Sequence, residues 1–243
     1  SGRKGTESVH CAGQGGSSGY HAGAVGEDGE MLLELCRANG VDTRFIRRTE
    51  GRNGHTVIQV DRNGQNCILL FGGSNQKQTK EHIDEVLSHF EAGDMLVLQN
   101  EVNHLDYLID RAWERGMVIV LNPSPFDDKL KACDMTKVAY FLVNEVEAEQ
   151  MTGESDPAKK PERLLEAYPG GKFVLTMGSR GSMYKDSLQE FHQDIYKVNA
   201  VDTTAAGDTF TGFFLAAILE GRPIPEALDE AARASAIAVS RPG

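Results

Sequence analysis

The chain is poor in cysteine, tryptophan and uninterrupted apolar sequence. Its 243 residues include 4 cysteines and 1 tryptophan. Cys11, Cys36, Cys67 and Cys133 form no CxxC pair and no Cys/His cluster. A zinc ribbon and a disulfide framework are thereby excluded, and a reducing cytoplasm is expected. The 7 histidines are scattered too, and His82 and His89 read as surface residues rather than ligands. Apolar runs such as Met117–Leu121 fall far short of the roughly 20 residues that a bilayer-spanning helix needs, so no membrane role is expected. Basic residues are outnumbered, 25 Lys and Arg against 36 Asp and Glu, for a net charge of −11. That balance argues against a nucleic-acid partner. No signal peptide or internal repeat is visible, and the first residue is Ser1 rather than Met.

The remaining composition is that of an ordinary globular protein, 40% hydrophobic and 25% charged. Residues 1–24 are rich in Gly and Ser and read as loop or linker. GQGGSSG at 13–19 misses a GxGxxG fingerprint by Ser18 and follows no visible strand. Met31, Leu32, Leu35 and Cys36 recur at helical spacing, and Asn39-Gly40 stops that helix. Two β-rich runs within 55–71 flank Asn63-Gly64, the strongest hairpin signal in the chain. Beyond Thr79, helices expected at about 79–91, 103–115 and 161–167 alternate with short buried strands at 95–98, 117–121, 138–143 and 173–177. This pattern predicts a parallel sheet covered on both faces. An antiparallel excursion is expected across 181–198, followed by helices at about 207–220 and 225–240.

The densest chemical signal is Asp202-Thr203-Thr204-Ala205-Ala206-Gly207-Asp208-Thr209-Phe210. Small residues lead straight into an apolar helix, whose first turn offers N–H groups and a positive dipole end to an anion. A carboxylate in that turn repels a phosphate unless it accepts a proton from the attacking nucleophile. Spacing alone leaves open whether Asp208 is such a base or a helix-start residue. Likewise Asn144 and Glu147, at i and i+3, face one cleft or belong to a solvated acidic helix face.

The stretch 202–210 resembles the DTxGAGDxF signature of the ribokinase-like (phosphofructokinase-B) sugar kinases. Further segments match in order. Asn144 to Glu147 resembles NxxE, Thr176 to Gly181 resembles TxGxxG, and Leu121 to Pro125 resembles a strand end of the family. Ala238 to Gly243 resembles the cation loop, and Gly2 to Gly5 stands where GGKG would be. The resemblance implies a three-layer α/β/α sandwich with a mostly parallel sheet, one domain over 1–243, and a small β lid contributed by 55–71 that pairs two copies into a homodimer. It also implies ATP-dependent phosphorylation of a sugar hydroxymethyl group, with D-ribose the first expectation and fructose, a 2-keto-3-deoxy sugar acid or a nucleoside as alternatives. A non-catalytic sugar or nucleotide sensor is the rival of another class.

Carried over residue by residue, Asp208 is the general base, and the backbone of Ala205, Ala206 and Gly207 forms the anion hole. Asn144, Thr176, Gly178, Ser179 and Gly181 line the nucleotide, and Glu147 serves the Mg²⁺ network. Asp202, Thr204, Ala238, Arg241 and Gly243 surround a monovalent cation such as K⁺. Lys4 and Glu101 contact the sugar. The sequence departs from the pattern at Arg3, at Glu7, across Ser8–Gly19 where an apolar helix is expected, and at Ala205. The family's first strand would precede residue 1 and its cation loop would close beyond Gly243, so the chain is expected to be truncated at both ends.

Overall fold

The computed structural model describes residues 19–60, 66–203 and 206–241. Strand β1 (Tyr20–Val25) leads to helix α1 (Glu30–Ala38) and strand β2 (Asp42–Arg48). Strands β3 (His55–Val60) and β4 (Asn66–Phe71) follow, then α2 (Lys80–Leu87), β5 (Met95–Gln99), α3 (Leu105–Glu114), β6 (Val118–Asn122) and β7 (Tyr140–Asn144). A one-turn helix at Asp128–Lys131 lies between β6 and β7, and after β7 come α4 (Glu145–Thr152), α5 (Lys160–Ala167), β8 (Lys172–Thr176), β9 (Ser182–Lys185), β10 (Glu190–Gln193), α6 (Ala206–Leu219) and α7 (Ile224–Val239).

The central sheet has six strands in the order β10-β9-β8-β7-β6-β5. β5 to β8 are mutually parallel, and β9 and β10 extend the sheet antiparallel. Its strands read as continuous apolar runs because successive residues are buried on opposite faces. Ile119, Leu121, Phe141, Val143, Phe173 and Leu175 pack under α2–α5, against Ile83, Leu87, Ile109, Ala148 and Leu164. Val120, Tyr140, Leu142, Val174 and Tyr184 face α6 and α7, against Phe210, Phe214, Leu228 and Ala231. The expected three layers follow from this alternation. Phe141 anchors the first core, fully buried, with its ring 5.1 Å from Phe173 and 5.5 Å from Tyr168.

Two smaller sheets accompany the central one. β3 and β4 form the expected antiparallel hairpin, paired from His55↔Phe71 to Val60↔Asn66; its Asn63-Gly64 turn lies outside the described residues. The root of the hairpin is tight. Gly73 has φ +47°, and a β-carbon there would come within 2.5 Å of the Asn53 backbone. Asn53 Oδ1 accepts the Gly26 N–H at 2.7 Å across the same crossing.

β1 pairs in parallel with β2, which corrects the reading of residues up to 24 as loop. Ala22, Gly23 and Ala24 carry little strand propensity of their own, but long-range pairing with β2 overrides it. Helix α2 stops at Leu87 rather than near 91. Ser88 Oγ turns back onto the Glu85 carbonyl at 2.6 Å, a side-chain bond that competes with helix continuation.

Candidate functional site

Every parallel strand of the central sheet ends on a polar residue: Gln99, Asn122, Asn144 and Thr176. Ligands of open α/β sheets bind in the crevice beyond these carboxyl ends. Two buried oxygens at this edge, Asn122 Oδ1 and Ser182 Oγ, have no hydrogen-bond partner among the described residues. An unmade bond of this kind costs about 1–3 kcal/mol, so it calls for an explanation such as a bound group.

Asn144 is the N-cap of α4. Its Oδ1 accepts the N–H groups of Val146 and Glu147, both at 2.9 Å. In return Glu147 Oε2 accepts the Asn144 N–H at 2.9 Å, and Oε1 accepts its Nδ2 at 3.0 Å. The NxxE motif is therefore a capping box whose carboxylate is buried, Glu147 being 6% exposed. The reading of this stretch as a solvated acidic face holds for Glu149, which is exposed, but not for Glu147. Each Glu147 oxygen keeps acceptor capacity beyond its bond to Asn144.

Thr176 stands directly opposite Asn144 in the β7–β8 register and opposite Ser182 in the β8–β9 register. The loop between Thr176 and Ser182 folds as a 3₁₀ turn over Gly178–Arg180, with Gly178 at φ +56° and Gly181 at φ +85°. Ser179 lies inside that turn, exposed. Gly181 is confined as well as left-handed, since a β-carbon there would sit 2.1 Å from the Gln193 carbonyl oxygen at the end of β10. The β9–β10 turn behind it is fixed by Asp186, which accepts the Leu188 and Gln189 N–H groups and the Tyr184 hydroxyl at 2.7 Å. Burial, together with that carboxylate, pushes the Tyr184 phenol well above its ordinary range.

Asp208 is the third residue of α6 and is 8% exposed. Ala206 and Gly207 precede it in the first turn, and among the described residues no atom beyond the helix's own nearby backbone lies within 4 Å of where a Gly207 β-carbon would be. The Ala206 N–H closes a turn on the Thr203 carbonyl at 3.2 Å, and the Ala206 carbonyl accepts Ser235 Oγ from α7 at 3.1 Å. Ser235 thus locks the start of α6 to α7, a contact with no local sequence signal. Asp202 comes to the C-terminal end of α7 through backbone bonds of Val201 and Asp202 to the Val239 carbonyl, at 2.7 and 3.2 Å. Asp202, Ala238 and Arg241 are neighbours for that reason, although 36 or more positions separate Asp202 from the other two.

Glu101 is exposed in the loop after β5. Three amide side chains hold that loop: Gln76 Nε2 on the Glu101 carbonyl at 2.7 Å, Asn103 bridging the Gln78 backbone, and Asn100 Nδ2 on the Pro125 carbonyl at 2.7 Å. None of the three carried a sequence signal beyond being polar in a loop. The expectations for Lys4, Thr204, Ala205 and Gly243, and the departures at Arg3 and Glu7, lie outside the described residues. Among the described residues no group of three or more His, Cys, Asp or Glu is placed to hold a metal ion by itself, and no helix is long and apolar enough to cross a membrane.

A family model described as pfkB family carbohydrate kinase matches residues 4–243. The chain is 32% identical over 230 residues to a ribokinase of Staphylococcus aureus, across 90% of this chain and 75% of that protein. Its structure matches that of a ribokinase from Thermotoga maritima with a TM-score of 0.83 at 29% identity, covering 100% of this chain and 82% of the other. A ribokinase from Cryptococcus neoformans, solved in complex with ADP, matches with a TM-score of 0.86 at 25% identity, over 100% of this chain and 83% of the other.

Proposed function

The chain belongs to the pfkB family of carbohydrate kinases, and from that premise we propose that it transfers the γ-phosphoryl group of ATP to the hydroxymethyl oxygen of a sugar, D-ribose first. The single observation that carries the mechanism is a carboxylate, Asp208, buried in the first turn of α6. In the proposed reaction Asp208 accepts the hydroxyl proton as the sugar oxygen attacks. The N-terminal turn of α6, at Ala206 and Gly207, faces the charge that develops on the transferring group. An incoming anion there competes with the weak Ala206–Thr203 turn. Nucleotide binding is assigned to Asn144, Thr176, Gly178, Ser179 and Gly181, and sugar contact to Glu101 and Lys4.

Two cations are part of the proposal. Glu147 fits a Mg²⁺ network because its buried oxygens retain lone pairs at the strand-end crevice; the ion would neutralise phosphate charge. The Asp202 carboxylate and the carbonyl of Ala238 are hard oxygen donors, which suits K⁺, and backbone bonds of Val201 and Asp202 to the Val239 carbonyl bring their two segments together at the end of α7. Cys36 and Cys133 are buried thiols, and burial pushes Cys133 up to about 11, which leaves it a poor nucleophile.

The test is ADP release with Mg²⁺ and K⁺ across D-ribose, deoxyribose, fructose and a 2-keto-3-deoxy sugar acid. Turnover led by ribose supports the reading. Turnover led by another sugar keeps the kinase and replaces the substrate. Tight nucleotide binding without ADP formation makes the protein a sensor.

The proposed homodimer rests on the β3–β4 hairpin. Leu69 and Leu70 point to opposite faces of it and are 54% and 71% exposed, with Val57 and Phe71 exposed beside them. Apolar side chains exposed on both faces of a two-stranded sheet call for a partner surface. Leu70→Arg is expected to shift the sedimenting species from dimer to monomer. A wild-type protein that sediments as a monomer at micromolar concentration would remove this part of the proposal.

A further inference from the structure

We infer that Lys160, together with Arg180, positions the Asn144–Glu147 capping box against the Gly178–Gly181 loop, and so sets nucleotide affinity without touching the nucleotide. The inference rests on the kinase reading above.

Lys160 opens α5 and is 4% exposed. Lysine is almost never so buried unless it is paired. Its Nζ donates to the Glu145 carbonyl at 2.9 Å and to Glu149 Oε2 at 3.0 Å. Both acceptors belong to α4, and the first is the residue that follows Asn144. The Glu149 carboxylate is half exposed, so the carbonyl bond is the more sheltered of the two.

Stability alone is a poor reason for this arrangement. A cation beside the first turn of a helix opposes the macrodipole, although the glutamates of that turn offset the repulsion. Replacing buried ionic groups by apolar ones of similar volume is often neutral or stabilising. An ammonium does, however, supply direction, because its bonds to two fixed acceptors admit few placements of α4.

Glu145 is held a second time, through its side chain. Its carboxylate pairs with the guanidinium of Arg180, which sits in the 3₁₀ turn between Gly178 and Gly181. The capping box fixes Asn144 relative to Glu147, but it does not tie that pair to the neighbouring loop. The Asn144↔Thr176 register supplies one tie. Glu145 supplies the other, gripped at its carbonyl by Lys160 and at its carboxylate by Arg180. Two cations from distant parts of the chain thus converge on the residue between the two motif positions. A displacement of about 1 Å at a reacting centre can cost on the order of 10²-fold in rate.

The experiment measures KM for ATP, KM for the sugar, kcat and ADP affinity by calorimetry for Lys160→Met, Arg180→Gln and Arg180→Lys. Supporting partners of this kind are typically worth about 10–100-fold. Lys160→Met is expected to raise the ATP KM and weaken ADP by about tenfold or more while the sugar KM stays as in the wild type. Arg180→Gln is expected to move the same two quantities in the same direction, and Arg180→Lys to restore them in part. The double variant is expected to fall short of the sum of the single effects, because both residues act through Glu145. Nucleotide constants unchanged in both single variants, or sugar and nucleotide constants rising together in proportion to the unfolded fraction, would overturn the inference. If Lys160→Met does not fold, Arg180→Gln decides alone: its side chain is exposed, so unchanged ADP affinity in that variant refutes the positioning role. Failure of the unsubstituted protein to bind ADP is a different result, and it removes the kinase reading itself.

Discussion

Asp208→Asn is expected to lower kcat by about 10²–10⁴-fold, the range that a positioned general base contributes, while leaving binding of ATP and sugar close to wild type. The substitution keeps the shape of the side chain and its place in the first turn of α6. It removes the negative charge and the capacity to take a proton. Two effects then oppose each other. A neutral amide no longer repels the phosphates, so nucleotide affinity rises or holds; the hydroxyl loses its proton acceptor, so chemistry slows. A fall in kcat with an unchanged or lower KM for ATP is the signature of a group that acts in the transition state. A helix-start role predicts something else: a carboxylate at the third position of α6 favours the helix dipole by only about 0.3–1 kcal/mol, so turnover would persist. Full sugar-dependent turnover in Asp208→Asn, measured as ADP release, would therefore return Asp208 to a structural role and remove the mechanism.

The contrast between those two outcomes matters because the sequence could not separate them. What it did carry were local patterns. Val118–Leu121, Tyr140–Val143 and Phe173–Leu175 were legible as strands because burial on both faces leaves no polar residue to blur the run. The hairpin was legible because Asn-Gly sits between two β-rich segments. Asn144 and Glu147 were legible as a spacing, and the burial of Glu147 followed from the capping box that this spacing builds. β1 was not legible, because its pairing partner lies some 20 residues downstream and Ala22 to Ala24 carry no pattern of their own. The neighbourhood of Asp202 and Ala238 depends on two backbone bonds to Val239, and no local pattern encodes those. Lys160 was hidden for another reason. It stands in the charged stretch Lys159-Lys160-Pro161-Glu162-Arg163, where every residue looks like helix surface, and only the packing of α5 against α4 buries Lys160 and Pro161.

Gly181→Ala is expected to cost about 3 kcal/mol or more of stability, lowering Tm by about 6–12 °C, and to weaken nucleotide binding beyond what unfolding explains. Two penalties add at this position. The backbone angles, φ +85° and ψ −143°, belong to a region that only glycine enters freely, and a residue held there costs on the order of 1–3 kcal/mol. The added methyl group would also lie 2.1 Å from the Gln193 carbonyl oxygen, a backbone atom that cannot rotate away. Relief requires the 178–181 turn to lift or β10 to retreat. β10 resists, because its β9 partner is pinned through Tyr184 and Asp186 and is buried under α6 and α7. The turn is the softer element, so it absorbs the displacement and carries Ser179 and Arg180 with it. Gly178→Ala provides the comparison. That residue is also left-handed, at φ +56°, but among the described residues no atom beyond its chain neighbours lies within 4 Å of its β-carbon position, so it pays the conformational cost without the collision. Thermal unfolding and ADP titration of the two variants separate the penalties. A Gly181→Ala protein that melts like Gly178→Ala, with equal ADP affinity, would show that the close approach to Gln193 has no energetic consequence and that the loop is not braced by β10.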